Sequence, residues 1–122
     1  MKVTGIKRST LKMALEIAKD NYPHEFAALM RARDGLIIEL IFIPGTIGGE
    51  RSATIPFQMK PVDFSIVGVL HSHPSPNFHP SKADLALFDR YGSVHIIVAY
   101  PYTMRSWMAW DRLGNPVKLE LV

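Results

Sequence analysis

The sequence predicts a mixed α/β domain in which helices pack against a largely antiparallel sheet. Three observations predict it. An amphipathic segment near the N-terminus has helical period, and apolar runs at 65–71 and 94–100 read as buried strands. A second helical segment sits between those runs, behind a proline-rich break.

Taken in order, Ser9 or Thr10 can cap a first helix, in which Leu11, Ala14, Leu15 and Ala18 fall on one face; Asn21 and Pro23 end it. Phe26 to Met30 reads as a strand, Asp34-Gly35 as a hairpin turn, and Leu36 to Ile43 as the returning strand. Pro44, Gly45, Gly48 and Gly49 make a connection, and Ala53 to Phe57 reads as a further strand. Ser65 to His71 is nearly continuous in apolar residues, as a central strand is. Prolines at 74, 76 and 80 keep the next stretch irregular. Ser81 to Tyr91 reads as a helix stopped by Gly92. Val94 to Tyr100, Met104 to Asp111 and Val117 to Val122 read as strands, the last two separated by a turn at Gly114-Asn115-Pro116.

A chain of 122 residues, 48% hydrophobic and 20% charged, fits one folded domain spanning 1–122. The absence of cysteine excludes disulfides, thiolate metal sites and thiol nucleophiles, and leans toward a reducing cytoplasm. No signal-peptide core and no membrane span is expected. The net charge of +3 comes from scattered basic residues, so no nucleic-acid partner is expected.

Chemistry concentrates around one short stretch. His71 and His73 stand at i and i+2 where the central strand ends, so both imidazoles point to one face. Asp84 falls in the first turn of the following helix, behind a loop that can turn the chain back. Two histidines and a carboxylate make a catalytic zinc set, because the fourth tetrahedral position stays open for water. Ser81-x-x-Asp84 also fits a helix capping box, and one carboxylate can serve both purposes. Glu25 could act as the general base that zinc chemistry needs, although taken alone it reads as a surface glutamate at a helix–strand junction. His95, 22 residues after His73, allows a rival three-histidine site of the kind a small-molecule hydratase uses. His24 and His79 have no partner at useful spacing. A zinc nucleobase deaminase is excluded for want of cysteine, and no H-E-x-x-H run occurs.

Glu25 followed by His71-Ser72-His73, seven residues, Ser81, two residues and Asp84 closely resembles the signature of the JAMM metalloproteases, the catalytic MPN domain. The flanking Gly68-Val69-Leu70 and Pro74-Ser75-Pro76 resemble the family's wording as well. The resemblance implies a fold like the cytidine-deaminase sandwich. It implies one zinc per chain on His71, His73 and Asp84, with Glu25 as general acid/base and Ser81 donating a hydrogen bond to the oxyanion. It further implies hydrolysis of an isopeptide or peptide bond after the C-terminal tail of a ubiquitin-like protein. Trimming the glycine-ended tail of a sulfur-carrier protein is the alternative substrate; a non-catalytic scaffold is a weaker one, since every ligand is kept. The stretch from Pro44 to Phe57 is short and the chain ends soon after its last strand, so the two substrate-positioning insertions of larger relatives are expected to be minimal.

Overall fold

The strand that carries the histidine pair lies inside the sheet, which is why its sequence is apolar on both sides. The computed structural model describes residues 2–42, 47–48, 53–54 and 64–122. Its elements are β1 (Gly5–Ile6), α1 (Arg8–Asn21), β2 (Ala27–Arg33), β3 (Leu36–Ile41), β4 (Ile47–Gly48), β5 (Ala53–Thr54), β6 (Ile66–His73), α2 (Lys82–Tyr91), β7 (Val94–Ala99), β8 (Trp107–Asp111), β9 (Pro116–Val117) and β10 (Glu120–Leu121). The main sheet runs β10-β1-β3-β2-β6-β7-β8-β9, and β4 pairs with β5 apart from it. β2 is antiparallel to β3 and β6, and β8 to β7 and β9; β6–β7 and both pairings of β1 are parallel. This is the expected mixed, largely antiparallel sheet flanked by helices.

Side-chain parity sorts the two faces. Ala28, Met30, Ile37, Leu70, Ile96 and Val98 pack with Leu11, Ala14, Leu15 and Ala18 of α1. On the other face Ala27, Leu29 and Val69 meet Tyr91, while Ile97 and Trp110 meet Phe88, both aromatic residues coming from α2. One helix on each face makes a sandwich with two apolar layers. No helix among the described residues is long and apolar enough to cross a membrane.

The β2–β3 hairpin turns at Asp34 (φ 53°) and Gly35 (φ 80°), the two successive left-handed residues that a two-residue hairpin loop needs. Gly92 ends α2 at φ 130°, where a Cβ would lie 2.2 Å from the Val67 carbonyl oxygen; no other residue fits.

Three expectations need correction. Helix α1 starts at Arg8, not behind Ser9 or Thr10, and no side chain caps it. The chain enters it directly from β1, held by Lys7 N–H to Ile37 O and Arg8 N–H to Val122 O, both 2.9 Å. Thr10 instead donates to Ile38 O at 2.8 Å, tying the helix to β3. Met104 to Ser106 form a turn held by Thr103 and Ser106, so β8 begins only at Trp107. Val117 to Val122 is not one strand. β9 pairs with β8 at one margin of the sheet and β10 with β1 at the other, with buried Leu119 between them. Three residue steps span at most about 11 Å, so the two margins lie close together and the sheet curls. Ile43 and residues 55–57, expected in strands, lie outside the described residues.

Candidate metal centre

His71 and His73 occupy the C-terminal end of β6, on the face covered by α2. His71 is 4% exposed. Ser81 caps α2: its Oγ accepts the Asp84 N–H at 3.1 Å, and Asp84 Oδ2 accepts the Ser81 N–H at 2.8 Å. That reciprocal pair swings the Asp84 carboxylate back toward the sheet. Its Oδ1 lies 3.0 Å from His71 Nε2 and its Oδ2 3.1 Å from His73 Nε2. The two Nε2 atoms are 3.3 Å apart. Sequence reasoning offered a cap or a ligand for Asp84, and the geometry accommodates both.

These spacings carry chemical information. Tetrahedral ligands at about 2.0–2.1 Å from zinc stand about 3.3–3.4 Å from one another. The two Nε2 atoms stand at that spacing, each with one oxygen of the Asp84 carboxylate beside it, and among the described residues these three side chains are the one group suited to a metal ion. The tautomer agrees. His73 Nδ1 donates to Asn77 O at 2.7 Å, which leaves the Nε2 lone pair facing Asp84 and His71. Lone pairs that converge this closely repel unless a proton or a cation sits among them. Burial disfavours a charged His73, but its bonds to Asp84 and Asn77, and the charges of Asp84 and Glu25, outweigh burial and raise its pKa. Burial likewise works against the Asp84 carboxylate, yet its bonds to His71 and His73 hold it well below the usual range. The Asp84 carboxylate is thus ionised, as a metal ligand must be. The donor set and its spacing fit zinc.

Glu25 precedes β2 and is buried. β2 and β6 are in register with Ala27 opposite His71. Continuing that register places Glu25 opposite His73, on the same face, and its charge is felt at the His73 ring. Glu25, His71, His73, Ser81 and Asp84 thus gather at one end of the sheet.

The other histidines are elsewhere. His95 is fully buried in β7, stacked on Phe88 with centroids 4.2 Å apart. Its Nδ1 accepts the Val69 N–H at 3.1 Å and its Nε2 donates to Gly92 O at 2.9 Å. Burial pushes its pKa down to about 4. Both ring nitrogens are committed, which removes the three-histidine arrangement. His79 is exposed against Trp110, and His24 is exposed in the turn after α1.

Two contributors escaped sequence reasoning. Asn77 acts through its main-chain oxygen, which leaves no mark in the residue type. Ser72, wholly buried, accepts the Phe26 N–H at 2.9 Å; its place between the two histidines, on the opposite face of the strand, was the available signal.

Comparison with known proteins agrees with this geometry. The family described as prokaryotic homologs of the JAB domain matches residues 7–110. A "probable metalloprotease" of Haloferax volcanii is 37% identical over 130 aligned positions, covering 98% of this chain and 80% of that protein. A solved structure described as "JAMM: a metalloprotease-like zinc site in the proteasome and signalosome" is 40% identical with a TM-score of 0.79, over 99% of each chain. A JAB1/MPN domain protein from Archaeoglobus fulgidus is 38% identical with a TM-score of 0.78, over 100% of this chain and 99% of that one. The matched span takes in α1, the strand ending in His71-Ser72-His73, and the helix that presents Asp84. The chain therefore belongs to the JAMM/MPN metalloprotease family, in its small prokaryotic JAB-domain form.

Proposed function

We propose that residues 1–122 form one catalytic domain, a zinc-dependent hydrolase that cleaves the isopeptide or peptide bond after the C-terminal tail of a ubiquitin-like protein. The observation that carries this reading is the convergence of two imidazole nitrogens and one ionised carboxylate within 3.0–3.3 Å, beside a buried glutamate. His71, His73 and Asp84 hold one zinc ion per chain. Zinc in such a set polarises a carbonyl and lowers the pKa of a water to about 7.

The remaining work falls to the chain's own groups. Glu25 takes a proton from the attacking water and returns it to the leaving amine, for which a carboxylate just ahead of β2, opposite His73, is well placed. The Ser81 hydroxyl uses a lone pair for the Asp84 N–H and keeps its proton for the oxygen on which charge develops. An extended tail can run along the sheet end past Pro74, Pro76 and Phe78 as an added strand, and a tail ending in glycines avoids side-chain clashes there. A cytoplasmic setting, with neither nucleic acid nor membrane as partner, goes with the cysteine-free sequence and its scattered charge.

Incubating the zinc-loaded protein with a lysine-linked ubiquitin-like conjugate and with a tail-extended precursor, then weighing the products, tests the reading. Release of the intact tail from the conjugate is expected. Cleavage of the precursor alone points to trimming of a sulfur-carrier protein. Cleavage of neither, with zinc bound, defeats the tail substrate.

A further inference from the structure

Ser72 lies between the two histidines, yet the ligand set does not use it. Strand alternation turns its side chain away from them, toward the face packed by α1. A hydroxyl buried there is unfavourable unless it is bonded. Its Oγ accepts the Phe26 N–H at 2.9 Å, while its own N–H donates to Phe26 O at 3.0 Å. Every second facing pair of an antiparallel ladder exchanges two main-chain bonds, and Phe26 and Ser72 stand at such a position. At this pair the hydroxyl stands in for the Ser72 carbonyl, and β2 is latched to β6 by a side chain.

The latch acts one atom away from Glu25. The Phe26 N–H shares a rigid plane with the Glu25 carbonyl and Cα, so holding that N–H orients the Cα from which the Glu25 carboxylate hangs. On the other side, the His24 N–H donates to Asn21 O at 2.7 Å, which fixes the turn leading into Glu25. Between these two bonds Glu25 has little main-chain freedom.

We propose that Ser72 is a positioning residue: its hydroxyl sets the Glu25 main chain against the strand that carries His71 and His73. It thereby fixes where the proton-handling carboxylate stands relative to the ligand triangle. The inference rests on the role proposed above for Glu25. A threonine at this position supplies the same acceptor; an alanine does not.

The test compares zinc-loaded Ser72→Ala, Ser72→Thr, Glu25→Gln and the double variant Glu25→Gln/Ser72→Ala on a lysine-linked ubiquitin dimer. Zinc content and amide hydrogen exchange are measured on the same samples. In Ser72→Ala, zinc stays at the parent level and the Phe26 amide exchanges at least about 10-fold faster, while Ala28 and Met30 keep their protection. Its kcat falls by roughly 10- to 100-fold with KM nearly unchanged, as a carboxylate displaced by a fraction of an ångström to an ångström would produce. Ser72→Thr restores both readouts. The double variant is no slower than Glu25→Gln alone, because the serine acts through the glutamate. If Ser72→Ala does not fold, Ser72→Cys keeps the volume with a poorer acceptor and makes the same comparison. Full turnover in Ser72→Ala beside a crippled Glu25→Gln overturns this inference and leaves the role of Glu25 standing. A further loss in the double variant, or loss of zinc with the serine hydroxyl, overturns it too. Full turnover in Glu25→Gln defeats both.

Discussion

His71 and His95 are buried histidines on neighbouring strands of one sheet, on the same face and both close to Phe88. Their surroundings divide them. His95 has a donor at one nitrogen and an acceptor at the other, so its ring is a finished part of the core. His71 turns Nε2 toward another imidazole and a carboxylate, and its buried Nδ1 has no partner among the described residues. A buried histidine whose bonds close on themselves is structural. One that faces a convergence of acceptors needs a proton or a cation among them. Burial alone does not separate the two; the bonding inventory does.

The sharpest way to break this comparison is to exchange the consequences. Asp84→Ala is expected to abolish tight zinc binding, and turnover with it, by removing one corner of the ligand triangle. His95→Ala is expected to keep a full zinc complement. Metal content after gel filtration without added zinc reads both. Zinc lost from His95→Ala and retained by Asp84→Ala would reverse the two assignments.

Next in size is Glu25→Gln. It removes the proposed proton carrier and leaves His71, His73 and Asp84, so metal content and fold are expected to stay as they are. Turnover is expected to fall on the order of 10²–10⁴-fold. A variant that keeps most of its turnover would return Glu25 to a structural role. Ser81→Ala follows. It is expected to slow turnover about 10²-fold if the hydroxyl meets the developing charge. Lost capping alone appears as about 1 kcal/mol in denaturant unfolding with turnover unchanged. Measuring both quantities on one sample separates the roles.

Local pattern made some of this visible in advance and hid the rest. The face of α1 shows in the spacing of Leu11, Ala14, Leu15 and Ala18, because a helix repeats its contacts every few residues. The grouping of His71, His73 and Asp84 was legible because strand spacing pairs His71 with His73 and a capping serine marks where Asp84 sits. Glu25 is 46 residues before His71, and only the resemblance to a known signature joined them. β1 has two residues, too few for any period, and its partners lie at distant positions. The alternation over Val117 to Val122 is a sound strand pattern, but alternation does not say which neighbour a strand takes, so the crossing at Leu119 was invisible. The Asn77 carbonyl is a main-chain group and has no signature in the residue type.

The smallest expected effect isolates His95. Burial holds its ring neutral down to a pKa of about 4, against 6.5 for a free ring. The unfolded chain therefore binds a proton there before the folded chain does as pH falls below 6.5. The stability tied to the neutral ring is fully present above that value and is lost as pH falls through the window down to about 4. The whole contribution is on the order of 3 kcal/mol. His95→Gln removes it. Other groups, including His73 and Asp84, also respond to acid, but they are common to parent and variant and cancel in the difference. Urea unfolding of both proteins at pH 7 and pH 4.5 should show the parent losing more stability between those two values than His95→Gln does, by about 2 kcal/mol. Zinc content at pH 7 should be the same in both, which separates this core effect from the candidate metal centre on the neighbouring strand. Equal losses in the two proteins would mean that His95 does not change its proton affinity on folding, and the contrast with His71 would then rest on hydrogen bonding alone.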